Sequence, residues 1–140
     1  MEDTPITGWE DHLRRGHQYL RTARKGRQRP AVFNRELVFQ LAAMGIEHIM
    51  SGMCQYHRQM PTDHTLSGLA AALVDVCPLD AELTQRIGMI EAAEGICSLS
   101  ANLKPAPSDD LVDAILGAGH DLVIFAQQRL TKAAVLPTST

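Results

Sequence analysis

Aromatic residues are scarce: Phe, Trp and Tyr make up only 4% of the 140 residues. A core built almost without them must come from Leu, Ile, Val, Met and Ala, and that palette suits helices better than sheets. Cysteine is rare as well. Cys54, Cys77 and Cys97 are odd in number and show no paired spacing. This argues against a disulfide framework and for reduced thiols, so an intracellular, cytoplasmic protein is expected. The opening MEDTPITGWEDHLRRG holds no apolar signal core. The longest apolar stretch, LVFQLAAMGI, is too short and too polar to cross a bilayer, so no membrane contact is expected. Strand-like alternation, internal repeats and low-complexity tracts are missing too.

What is present reads as one globular domain. Hydrophobic residues make up 45% and charged residues 21%, at a length that supports a single core. Periodicity and punctuation predict five helical segments. In the first, Thr7 and Glu10 of TGWE suggest a capping box, followed by the narrow stripe Trp9, Leu13, Leu20 and Ala23. The second, about Val32 to Gln59, is apolar on almost every side and should be central. Thr62 or Asp63 would cap a short third helix carrying Leu66, Leu69 and Leu73. Asp80 would cap the fourth, about Ala81 to Leu99, and Ser108 the last. Met44, Met50, Met53, Met60 and Met89 read mostly as adaptable core. The expectation is an all-α fold: an antiparallel four-helix up-and-down bundle with an additional short helix crossing one end. The domain would span 7–131, with tails at 1–6 and 132–140.

Charge is unevenly spread. Net charge is −3, yet Arg14, Arg15, Arg21, Arg24, Lys25, Arg27 and Arg29 follow one another with no acid between them. Such a run can form an anion-binding edge, with Arg21, Arg24 and Lys25 as its centre, or a merely solvated helix face. A second cluster lies in QYHRQMPTDHTLSGL, where His57, Arg58, Asp63 and His64 surround a Pro-Thr-Asp turn. Cys54, His57 and His64 could be read as metal ligands, but three mixed ligands with no second Cys pair are a weak signal, and no metal site is expected. Glu91 and Glu94 lack the Glu-x-x-His pairing of a di-iron bundle. Glu47, on the central helix, is a carboxylate that would pair with a basic group of a neighbouring helix or of a second copy.

The order of these elements resembles the HEPN family of helical bundles (higher eukaryotes and prokaryotes nucleotide-binding). FQLAAMGIEHIMSGM, with Glu47, is similar to the family's small-residue, glutamate and apolar pattern. PTDHTLSGLAAAL matches through His64, Leu66 and Leu69, and KPAPSDDLVDAILGAGHDLVIFAQQRL resembles the closing helix. The resemblance covers about Trp9 to Leu130. It implies a bundle that often dimerises, needs no cofactor, and binds a nucleotide, an RNA or a partner protein, including nucleotidyltransferases in toxin–antitoxin pairs. Some members are metal-independent RNases with an R-x(4–6)-H motif. Arg58 and His64 form R-x5-H, and a histidine with a fixed guanidinium suits proton transfer and charge stabilisation at phosphate. Here, however, the pair straddles the turn before the short helix, whereas the family's motif usually opens a later long helix. The expected function is therefore a non-catalytic binding bundle, bordered by Arg58, His64 and Glu47, with Arg21, Arg24 and Lys25 as an anion surface. The alternatives are an endoribonuclease using Arg58 and His64, and a structural or antidote subunit.

Overall fold

Helix α1 (Trp9–Arg27) starts not from a side-chain cap but from Gly8, whose φ of 104° only glycine adopts freely. The carbonyl of Gly8 accepts from His12 N at 3.0 Å, closing the first turn. The expected cap, Thr7, lies outside the described residues. The computed structural model describes the backbone of residues 8–99 and 107–134, and the side chains of 8–93 and 107–130. Helix α2 spans Arg35–Tyr56, shorter at both ends than expected: Asn34 caps its start by accepting from Leu37 N at 2.8 Å, and the left-handed Arg58 stops its end. Helix α3 is Leu66–Leu73 and its cap is Thr65, not Thr62 or Asp63. Helix α4, Ala81–Leu99, has the expected bounds, with Asp80 accepting from Leu83 N. Helix α5, Asp109–Ala134, is capped by Ser108 through Leu111 N and runs three residues past the expected domain end. The fold is all-helical, with no strand among the described residues.

Helix α2 is central. It packs on α1, α3 and α5, and its residues Ile46, Met50 and Met53 are fully buried. Leu69 and Leu73 of α3, Ile87 of α4, and Ile115 and Leu122 of α5 complete the core. Ile46, Ile90 and Phe125, each expected inside, are inside. The methionines divide: Met50 and Met53 are core, but Met44, Met60 and Met89 are 41%, 80% and 65% exposed. Met60 lies in a connection and the other two on outer helix faces, where periodicity alone does not assign burial. The short α3 packs on both α2 and α4, while the α2 and α4 backbones do not approach each other closely among the described residues.

Glycines set the α1–α2 spacing. A methyl placed on Gly16 would come within 2.8 Å of the Gly45 carbonyl oxygen, so the two backbones are in direct contact. Trp9 meets Tyr56 edge-on at 4.9 Å, and Phe33 covers Gly26. These three contacts run the two helices antiparallel. Against α5, Leu20 sits on Gly119, and Arg27 reaches Asp109 and Asp113, both at 3.1 Å. That pair is antiparallel as well. Taken whole, α2 is long and apolar enough to cross a membrane, unlike the shorter stretch weighed above. The core helix of a soluble protein passes the same test, and 56% of its most apolar window is buried against other helices.

Candidate anion-binding cleft

The basic run sorts itself by pairing. Arg14 and Arg15 both bind Asp11 on their own helix. Arg27 is committed to α5 through Asp109 and Asp113, and these carboxylates push its guanidinium pKa above the ordinary value. Arg21, Arg24 and Lys25 are exposed, and no carboxylate among the described residues pairs with them. Their spacing places them on the outer side of the second half of α1.

There Arg21 and Arg24 border a cleft of about 190 Å³ between α1 and α5. His17, Arg21 and Arg24 form one wall, His120 and Gln127 line the opposite one, and Leu20, Leu116, Val123 and Ile124 supply apolar surface. A more open depression next to it is lined by Arg21, Arg24, Lys25 and Gln28. Arg24 Nη1 lies 2.9 Å from His120 Nδ1. A guanidinium only donates, so Nδ1 of His120 is the acceptor and its proton sits on Nε2. The arrangement suits an anion with an apolar body: guanidinium forks match phosphate or carboxylate oxygens, and the aliphatic surface takes the rest. The expectation of an anion surface named Arg21, Arg24 and Lys25. His17 and His120 were missed, because their place beside it depends on how α5 docks.

The other expected residues lie elsewhere. Since α1 and α2 are antiparallel, the C-terminal end of α2 adjoins Trp9, and Arg21 lies roughly 18 Å further along α1. His57 and Arg58, at that end of α2, are thus set apart from the basic cleft rather than continuous with it. Arg58 has φ 57°, a left-handed conformation, at the turn that ends α2. Arg58 N donates to Gln55 O and Gln59 N to Cys54 O, the bonding pattern of a helix stop in which glycine is the usual residue. His57 packs edge-on against Tyr56 at 5.0 Å. Its Nε2 and the Oε1 of Gln55 are buried without a partner among the described residues, and burial lowers the pKa of His57. Asp63 works locally: it accepts from both the backbone and the hydroxyl of Thr65, which hold its carboxyl below the ordinary value. His64 is exposed, just before the Thr65 cap. Glu47 is half-buried on α2, and no basic group among the described residues pairs with it. Cys54 donates to Leu69 O, and burial pushes its thiol up to about 11, so it offers no thiolate at neutral pH. Among the described residues no three His, Cys, Asp or Glu side chains are grouped to hold a metal.

The left-handed Arg58 carries a prediction that does not depend on what its side chain touches. Arg58→Gly and Arg58→Ala both remove that side chain, but only glycine relaxes at φ 57°. The glycine variant should be the more stable by about 1 kcal/mol in urea unfolding. Equal stabilities would show that the turn carries no backbone strain.

A pair that sequence reading missed lies on the opposite side of the α1–α2 seam. His12 Nδ1 and His48 Nδ1 are 3.0 Å apart, and Tyr19 stacks on the His48 ring. His12 comes four residues before Gly16, and His48 three after Gly45. Once those glycines are known to face each other, the two histidines follow.

No protein-family model, curated protein or solved structure matches the chain.

Proposed function

We propose that this chain is a non-catalytic, HEPN-like helical module that binds a phosphate-bearing ligand, a nucleotide or RNA, in the cleft between α1 and α5. In this reading the long helices form an antiparallel four-helix bundle with α3 as an additional short helix at one end. The active unit is a cytoplasmic homodimer working beside a partner protein of the nucleotidyltransferase class. The observation that carries the binding proposal is that Arg21 and Arg24 line a partly apolar cleft, with Lys25 in the open depression beside it, while Arg14, Arg15 and Arg27 are already paired with acids. Cations with no carboxylate partner beside a concavity supply the charge-assisted contacts a phosphate needs.

The test measures binding of labelled RNA and of a labelled nucleotide by fluorescence anisotropy. The triple variant Arg21→Glu, Arg24→Glu, Lys25→Glu should lose affinity about 100-fold or more, as loss of two charged hydrogen bonds implies. Wild-type affinity should fall steeply with salt. Reversing Arg14 and Arg15, which already serve Asp11, should change it far less. Affinity indifferent to the triple reversal and to salt would end the proposal. Wild-type protein that cleaves RNA in EDTA, with cleavage lost in His64→Ala, would replace a non-catalytic module with an RNase acting through Arg58 and His64.

A further inference from the structure

The His12–His48 contact joins α1 to α2 at a point that the cleft does not use. The ring centres are 5.2 Å apart and the nitrogens 3.0 Å. The difference is about two ring radii, so the two Nδ1 atoms point straight at one another. A metal shared by both would sit off that line, about 2 Å from each nitrogen, and both rings would have to turn to reach it. A proton fits the line as it stands. One neutral imidazole donates its N–H and the other accepts.

We propose that His12 and His48 form a pH-sensitive clasp that holds the first half of α1 on α2 and opens when the pair takes up a second proton. With both rings cationic, neither nitrogen has a lone pair to accept with, and two positive charges face each other at hydrogen-bond distance. The surroundings push the same way. Burial lowers the pKa of His12 most, then His48, and the charges of Arg15 and His64 add to this, while Asp11 opposes it. Tyr19 stacks on the His48 ring at 5.5 Å with an 11° tilt, so His48 is held in place by α1 on a second side. Glu47 adjoins His48 on its own helix. The sign follows from linkage: the folded clasp takes up its second proton less readily than the unfolded chain does. The hold is therefore complete above the ordinary histidine value near 6.5 and weakens as pH falls below it and the second proton is taken up.

Opening is local. The second half of α1 has separate anchors, Leu20 against Gly45 and Gly119, and Arg27 on α5. Release frees the first turns, with the Trp9–Tyr56 contact and the Gly16–Gly45 seam behind them.

The test is amide hydrogen exchange by NMR, with histidine ring signals followed through the same titration. Between pH 7.5 and 5.5, protection factors of His12 to Gly16 should fall about 10-fold or more, and those of Leu20 to Gly26 should hold. His48→Gln keeps a neutral hydrogen-bonding group but cannot charge, so the pH dependence should vanish from the first half of α1. Should that variant fail to fold, His12→Gln serves equally. The wild-type titration is decisive alone: two histidines titrating independently at the ordinary value, with flat protection, would overturn the clasp. So would an equal loss of protection along all of α1.

Discussion

Gly16→Ala is expected to destabilise the protein by about 1–2 kcal/mol, and Gly88→Ala to stabilise it by about 0.5–1 kcal/mol. The two changes add the same atom to the same kind of element. Both glycines lie inside α-helices, so both alanines gain about 1 kcal/mol of helix propensity. The surroundings decide the sign. At Gly88 a new methyl meets nothing within 4 Å. At Gly16 it meets the Gly45 carbonyl oxygen and two carbons of Ile49, all at 2.8 Å. Ile49 is 2% exposed, and a helix carbonyl cannot step aside, so α1 must lift off α2. Overpacking of that kind costs about 1–3 kcal/mol, enough to reverse the propensity gain. Urea unfolding followed by far-UV circular dichroism measures both. Shifts of the same sign would mean that α1 and α2 do not touch backbone to backbone.

That glycine seam marks how far a sequence can be read. Helix existence was legible because apolar residues recur at three- and four-residue steps and because Asp80 and Ser108 stand where caps belong. The apolar faces were legible for the same reason: Ile46, Ile87 and Ile115 are inside. Periodicity gives a face, however, and not its partner. Gly16 and Gly45 look like interruptions in a pattern until the helices are docked, when they become the points of closest approach. The third helix reads as a short bridge, and it packs on both α2 and α4. Its cap was misplaced because Thr62, Asp63 and Thr65 are all good capping residues. The choice falls to Thr65, since Asp63 is already turned back to bind it.

The site shows the same division. Seven basic residues without an acid among them are visible in the sequence. Which of them stay available is not, because Asp109 and Asp113 reach Arg27 from more than eighty positions away. Pairing in space removes Arg14, Arg15 and Arg27 from a diffuse basic run, and position beside the cleft and its neighbouring depression singles out Arg21, Arg24 and Lys25. The turn that drew attention in the sequence proves to be well explained by local structure. Asp63 braces the α3 cap, and the backbone of Arg58 completes a helix stop. Neither observation requires chemistry at that corner.

Leu20→Ala is expected to cost about 3–4 kcal/mol, and adding Gly119→Ala to recover about 1 kcal/mol of it. Leu20 is 5% exposed and wedged where three helices meet. Its Cγ lies 2.6 Å from where a methyl on Gly45 would stand, and its Cδ2 lies 2.6 Å from the same point on Gly119. Truncation leaves a cavity that neither neighbour can close, since both lack a side chain. On the wild-type background Gly119→Ala strikes Leu20, which is pinned against Gly45 and cannot swing away, so it should destabilise. On the Leu20→Ala background the nearest obstacle is gone: the three closest atoms to the new methyl all belonged to the Leu20 side chain beyond Cβ. The methyl then fills part of the cavity and gains helix propensity as well. Gly45→Ala should rescue less well, because its methyl still meets the Gly16 carbonyl oxygen at 3.0 Å after Leu20 is cut back. A double-mutant cycle in urea should therefore give a favourable coupling for both pairs, larger for Leu20 with Gly119. Additive losses in both cycles would show that Leu20 does not bridge α2 and α5, and the packing that positions the cleft wall of α1 would need another account.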